Sequence, residues 1–206
     1  MLIIFDLDGV LLRASWRGLF EAYKEMIAAA GKDYKKYFAN FREFKEWWSP
    51  DWQENNRKIG IGEKDLGEAH ANFYRIYNPY IYLFVWSSKV VCELVKSHQL
   101  SIFTNRHSSN ARTLIKPISR YFTCIIGGDD VRRLKPDPEG IYRILSILEK
   151  EKEDALMIGD MPEDIIAGKL AGIKTGAVKW GLGKWNELLV QNPDYTFAKY
   201  QDLLLI

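Results

Sequence analysis

The first apolar run, Leu2-Ile3-Ile4-Phe5, is short and unbroken, and Asp6-Leu7-Asp8-Gly9 closes it at once. A run of that length ending in turn residues predicts a buried strand rather than a helix. From residue 15 to 78 the pattern changes to a helical period. Trp16, Leu19, Phe20, Tyr23, Met26 and Ile27 recur at three-to-four spacing behind Ser15, a capping residue, and ahead of Gly31, which can end a helix. A second run carries Tyr34, Tyr37, Phe38, Phe41, Phe44, Trp47 and Trp48 and breaks at Ser49-Pro50-Asp51. A third spans about 64 to 77, from Lys64, and stops before Asn78-Pro79.

Beyond this helical block the pattern alternates. Short apolar runs at 100–103, 124–126, 155–158, 176–178 and 195–197 predict strands. Between them, residues 87–98, 110–120 (interrupted by Pro117), 138–150 and 163–171 predict helices. Strands and helices alternating at these lengths imply a parallel sheet covered on both faces. The fold class is therefore α/β, a Rossmann-like parallel sheet core, residues 1–13 and 80–206, with an inserted α-helical cap, residues 14–79. The block enters after the first strand and leaves before the second, which predicts a lid over the carboxyl edge of the sheet, where open α/β sheets bind ligands.

Composition narrows the function classes. With 47% hydrophobic and 27% charged residues among 206, the chain has ordinary globular proportions. A net charge of +2 exerts no strong pull toward nucleic acid, and Arg132-Arg133 and Lys35-Lys36 read as solvated faces. Cys92 and Cys124 offer neither a disulfide framework nor a metal-ligand spacing and are expected to be small buried hydrophobes. No basic stretch precedes a long apolar segment, so neither a signal peptide nor a membrane span is expected. The expected setting is soluble and cytoplasmic, without a membrane or nucleic-acid partner.

The chemistry lies in the residues that follow the strands. Asp6 and Asp8 share one side of an extended segment after the first. Thr104-Asn105 follows the second, Lys135 lies downstream of the third, and Gly159-Asp160 with Asp164 follows the fourth. Four such exits converge on one crevice. Asp6, Asp8, Asp160 and Asp164 cannot all ionise there without a cation, and carboxylate and carbonyl oxygens with no His or Cys favour Mg²⁺. Thr104 adds a hydroxyl, and the backbone N–H groups after it could cradle anionic oxygens at a helix start. Lys135 adds a point charge suited to a phosphate or to a carboxylate nucleophile. Together these parts make a phosphoryl-transfer site.

In this order and spacing, Asp6-Leu7-Asp8-Gly9-Val10-Leu11, Thr104-Asn105, Lys135-Pro136-Asp137-Pro138 and Gly159-Asp160-Met161-Pro162-Glu163-Asp164 resemble the four motifs of the haloacid dehalogenase-like (HAD) hydrolase superfamily. The resemblance covers the whole chain, including a helical cap after the first motif, as in phosphoglycolate phosphatase-like and β-phosphoglucomutase-like members. It implies a phosphoric monoester hydrolase that uses Mg²⁺ and an aspartyl-phosphate. Asp6 would be the nucleophile and a metal ligand. Asp8 would be general acid and then base, with its backbone carbonyl on the metal. Thr104 and the Asn105 amide would hold phosphoryl oxygens, Lys135 would balance charge, and Asp160 and Asp164 would ligate Mg²⁺. Dehalogenases lack the acid at the position of Asp8, so Asp8 points to a phosphatase or phosphomutase acting on a small phosphorylated metabolite.

Arg13 departs from the family pattern, which carries an acidic or amide residue there. Aromatic residues at helical spacing in the cap form a bundle core. The turn Trp47-Trp48-Ser49-Pro50-Asp51-Trp52 is different, since some of its rings must be exposed, and it is the expected substrate-facing stretch. His70, His98 and His107 show no metal spacing, although His107 follows Asn105 closely enough to line the pocket. A β-phosphoglucomutase-type phosphomutase is the rival activity, and a non-catalytic phosphate-binding module a more distant one.

Overall fold

A computed structural model describes residues 1–62 and 65–206 of the chain. It divides into two compact units, one of Met1–Arg13 with Leu83–Ile206 and the other of Ala14–Tyr82. In the second, the Tyr80 ring sits against Gly18 on the first helix.

The first unit is a six-stranded sheet in the order β5-β4-β1-β6-β7-β8, with β1 Leu2–Phe5, β4 Gln99–Phe103, β5 Cys124–Ile126, β6 Ala155–Gly159, β7 Lys174–Val178 and β8 Tyr195–Phe197. Every neighbouring pair is parallel. β1 is central, with Leu2 opposite Gln99 on one side and Ala155 on the other. Its continuous apolar run follows from that place, since a parallel strand is buried on both faces. Leu2 and Ile4 pack with Met157 and with Ile141, Ile144 and Ala167 of α7 (Glu139–Leu148) and α8 (Pro162–Ala171), while Ile3 and Phe5, on the opposite face, are equally buried. Cys124 is half-buried rather than buried, because β5 is an edge strand, and Cys92, on α5 (Ser87–Leu94), is half-buried too. Two short strands, β2 (Leu12–Arg13) and β3 (Tyr82–Leu83), form a separate two-stranded sheet that the sequence pattern did not suggest.

The expected helix over 110–120 is shorter, as α6 (Ser108–Leu114), and a separate 3-10 turn follows Pro117, which has no N–H to continue the ladder. α9 (Trp185–Val190) and a C-terminal 3-10 stretch, Tyr200–Leu205, were not anticipated.

The second unit opens with α1 (Trp16–Ala29), capped by Ser15 Oγ on the Gly18 N–H, with Leu19, Tyr23, Met26 and Ile27 on its buried face. The expected continuous run from 34 to 48 is split. Asn40 adopts an extended conformation and its side chain caps Arg42 and Glu43, so α2 (Phe41–Trp47) starts afresh. α3 (Trp52–Ile59), capped by Asp51, escaped notice because Gln53, Glu54, Asn55 and Asn56 leave no apolar stripe. α4 (Leu66–Tyr77) ends as expected, while Lys64, its expected start, lies outside the described residues. Phe44 is fully buried among Trp16, Phe20, Tyr23, Phe38 and Trp47 with ring centroids 5.0–6.5 Å apart, an aromatic core of the anticipated kind. The Trp47 to Trp52 turn leaves its rings partly exposed. Trp47, Trp48 and Trp52 are all half-buried, packed on Tyr23, Trp16 and His70 respectively.

Candidate active site

The sheet's hydrogen-bond ladder carries three of the expected residues to one edge. The Asp6 N–H bonds to the Ile158 carbonyl, one step beyond β1, and the Thr104 N–H bonds to the Ile126 carbonyl, one step beyond β4. Asp160 directly follows β6. Asp164 lies in the first turn of α8, where its Oδ2 accepts from the Met161 N–H at 3.0 Å. The helix N-terminus favours a carboxylate there.

Lys135 reaches into this edge from the loop before α7. Its Nζ donates to Asp6 Oδ1 at 2.6 Å, to Asp164 Oδ1 at 2.5 Å and to the Phe103 carbonyl at 3.1 Å. Asn105 fixes the lysine's backbone: its Oδ1 accepts from the Lys135 N–H at 2.9 Å and its Nδ2 donates to the Lys135 carbonyl at 3.3 Å. Asp6, Lys135 and Asp164 are all buried, so the contact is shielded from solvent and held by directed bonds.

Burial and charge shift these groups in opposite chemical senses. Asp6 is pushed up to about 7, chiefly by burial, against the pull of Lys135 and with the added repulsion of Asp164 and Asp8. Burial works to lower Lys135, but Asp164 and Asp6 outweigh it and hold the ammonium charged far above neutrality. Asp160 is raised well above the usual carboxylate range by burial and then by Asp6 and Asp164. The three acids exceed the positive charge beside them.

Asp6, Asp160 and Asp164 each offer a carboxylate oxygen within 4.8 Å of the others. Asp160 Oδ2 accepts from the Leu182 N–H at 2.7 Å, but its buried Oδ1 has no hydrogen-bond partner. A buried carboxylate oxygen left bare is costly unless something positive faces it. An all-oxygen donor set with a bare carboxylate oxygen and excess negative charge fits a hard divalent cation.

Asp8 precedes Gly9, whose φ is positive (+87°). Its two carboxylate oxygens accept from Arg106, Oδ2 from Nε at 2.8 Å and Oδ1 from Nη2 at 2.6 Å. Arg106 Nη1 donates to Asn110 Oδ1 at 2.6 Å, and its backbone N–H donates to Thr104 Oγ1 at 3.2 Å. The expected cradle at a helix start takes a different form. The Ser108 N–H that opens α6 donates to Asp129 Oδ1 at 2.6 Å, and the Arg106 N–H donates to Thr104 Oγ1 at 3.2 Å.

Sequence reasoning names Asp6, Asp8, Thr104, Asn105, Lys135, Asp160 and Asp164 and not the residues that contact them. Arg106 stands two residues after Thr104 and was not among the candidates. The segment Gly181-Leu182-Gly183 wraps Asp160: a methyl on Gly181 would overlap its carboxylate, and one on Gly183 its backbone carbonyl. Its signal was available, for it follows the strand at 176–178 as the other site residues follow theirs. Glu163 is also held above the ordinary range, first by burial, and its Oε2 is buried without a partner.

Comparison with known proteins agrees with this geometry. Residues 3–178 match the family model described as haloacid dehalogenase-like hydrolase. The chain is 31% identical to a phosphoglycolate phosphatase of Aquifex aeolicus, over 98% of this chain and 94% of that one. It is also 31% identical to the pyrophosphatase PpaX of Listeria monocytogenes, over 99% and 94%. Among solved structures, a haloacid dehalogenase-like family hydrolase from Streptococcus pneumoniae superposes with a TM-score of 0.75 at 26% identity, covering 99% of this chain and 96% of that one. Among the described residues no helix is long and apolar enough to cross a membrane. With the strand-exit acids, the buried lysine and a family match over most of its length, the chain belongs to the haloacid dehalogenase-like hydrolase family.

Proposed function

We propose that the chain is a Mg²⁺-dependent phosphatase that hydrolyses a small phosphate ester or anhydride through an aspartyl-phosphate on Asp6. The observation that carries this reading is the buried contact of Lys135 with Asp6 and Asp164 beside the bare Oδ1 of Asp160. A nucleophilic carboxylate needs a fixed direction and little competing hydration, and the buried contact supplies both.

Asp6, Asp160 and Asp164 would hold the ion through carboxylate oxygens and Asp8 through its backbone carbonyl. Bound there, Mg²⁺ supplies the positive charge that lets Asp6 ionise near neutrality and polarises the phosphoryl oxygens. Thr104 and the Asn105 amide would hold phosphoryl oxygens. Asp6 would attack phosphorus while the bond to the leaving oxygen breaks, and that oxygen would take a proton from Asp8. Water would then attack the phosphorus of the aspartyl-phosphate and give its proton to Asp8. Free phosphate leaves, Asp6 regains its carboxylate, and the cycle closes with one water consumed.

The relatives named above suggest phosphoglycolate-like esters or pyrophosphate as substrates. The test is phosphate release from 2-phosphoglycolate, pyrophosphate, ethyl phosphate, a sugar phosphate and an aryl phosphate, with and without Mg²⁺, for wild type beside Asp6→Asn. Metal-dependent release that falls more than about 1,000-fold in Asp6→Asn is expected. Release that survives the substitution would remove Asp6 as nucleophile. Turnover of the sugar phosphate that needs a sugar bisphosphate would replace the phosphatase with a mutase.

A further inference from the structure

We propose that Arg106 selects substrates whose leaving group carries its own negative charge, by offering a substrate anion the guanidinium fork that Asp8 occupies in this structure. The inference rests on the phosphatase reading above and adds the substrate class.

Among the described residues the buried cations are Lys135 and Arg106. Lys135 is divided between Asp6 and Asp164, on the side of the nucleophile. Arg106 pairs instead with Asp8, the acid assigned to the leaving oxygen. Any group attached at that oxygen therefore comes within about one carboxylate's width of the guanidinium.

The two partners are held unequally. Arg106 has a side chain only 4% exposed, and Asn110 Oδ1 accepts from its Nη1 at 2.6 Å independently of Asp8, while Thr104 Oγ1 holds its backbone N–H. The Asp8 side chain is 24% exposed and has no other side-chain bond among those described. The arginine is thus the fixed half of the pair and Asp8 the movable one. A guanidinium presents two parallel N–H groups, a geometry that carboxylate and phosphate oxygens fit equally well. A carboxylate or phosphate on the leaving group can compete with Asp8 for that fork, and in winning it frees Asp8 to serve the leaving oxygen. A neutral leaving group cannot compete and gains nothing from Arg106.

The test compares kcat/KM for 2-phosphoglycolate and pyrophosphate with that for ethyl phosphate, which matches phosphoglycolate in length but lacks the anion. Wild type, Arg106→Gln, Arg106→Lys and Asn110→Ala are measured with Mg²⁺ present. The charged-to-neutral ratio is the readout, because a general disturbance of Asp8 affects both substrates and cancels. The ratio should fall about 10- to 100-fold in Arg106→Gln, mostly through KM, and partly recover in Arg106→Lys. An unchanged ratio, with both rates reduced together, would show that Arg106 only positions Asp8 and would overturn the proposal. Should Arg106→Gln fail to fold by circular dichroism, Asn110→Ala carries the same test, since it loosens the guanidinium without removing it.

A binding measurement separates this inference from the reading it rests on. Calorimetric titration of the Asp6→Asn protein with 2-phosphoglycolate and with ethyl phosphate needs no turnover. Tighter binding of the charged compound that Arg106→Gln abolishes supports the anion site even if wild type hydrolyses neither. Equal binding of the two overturns it even if wild type hydrolyses both.

Discussion

Lys135 Nζ stands 2.6 Å from Asp6 Oδ1, and both groups are buried. Removing one partner of such a pair leaves the other charge in a low-dielectric site with nothing to face it. Lys135→Met should therefore cost about 3–5 kcal/mol of unfolding free energy as well as activity. Because the lysine also faces Asp164, the double variant Lys135→Met/Asp164→Asn should be more stable than Lys135→Met alone. Urea unfolding of the three proteins checks this. A single variant that costs under about 1 kcal/mol would show that the contact contributes little in solution.

The elevated Asp6 carboxyl gives stability a pH signature. Its pKa rises from 3.8 to about 7 on folding, chiefly through burial. Such a group favours the folded state fully below its unfolded pKa, and that contribution drains away as pH rises from near 4 through about 7. Asp160 moves in the same direction. Metal-free protein should therefore lose melting temperature across this interval. A cation bound by the same carboxylates competes with their protons, so the rise in melting temperature with saturating Mg²⁺ should be larger at pH 8 than at pH 5.5. Equal gains at both values would mean that the ion sits elsewhere.

The parts of the fold legible in the sequence are those where one physical signal dominates. Leu2 to Phe5 and Ala155 to Gly159 are buried on both faces, so their apolar runs had no competing period, and the acids after them stood out as turn residues with chemistry. The helical block misled where local capping overrode periodicity. Asn40 interrupts a run of aromatics that otherwise reads as one helix, and Asp51 starts a helix whose Asn55 and Asn56 face inward as polar residues. At the site, the sequence exposed the residues that bear charge at strand exits, whereas Arg106 acts through a distance that only the folded chain reveals. An arginine joined to an acid 98 residues away has no local pattern.

The loop around Asp160 predicts a second kind of lesion. A methyl at Gly183 would overlap the backbone carbonyl of Asp160, which cannot rotate away as a flexible side chain could. Gly183→Ala should displace the Leu182 N–H from Asp160 Oδ2 and loosen the carboxylate that the cation would use. The expected result is at least a roughly tenfold rise in the Mg²⁺ concentration needed for half-maximal stabilisation, with a loss of about 1–3 kcal/mol in stability. Gly62→Ala, where a methyl meets only the distal oxygen of Asp65 at 3.9 Å, is the control. Similar metal midpoints for the two variants would dismiss the loop as a support of the site.

In the helical unit the corresponding weak point is polar. Asn55 is fully buried, and its amide links three groups: Nδ2 donates to Tyr23 Oη at 2.9 Å and to the Ser49 carbonyl at 2.6 Å, while Oδ1 accepts from the Ser49 N–H at 2.9 Å. These bonds tie the turn before α3 to α1. Asn55→Ala would leave both Ser49 backbone groups and the Tyr23 hydroxyl short of a partner, at about 2–4 kcal/mol for the set, and would open a small cavity besides. Asn55→Asp keeps the acceptor but replaces the donor with a buried charge, so it should be no better than alanine at neutral pH. It should recover on acidification, when the protonated acid can donate again. Unfolding curves at pH 7 and pH 5 distinguish the two variants, and an aspartate variant as stable as wild type at pH 7 would show that the donor bonds to Tyr23 and Ser49 do not hold this turn.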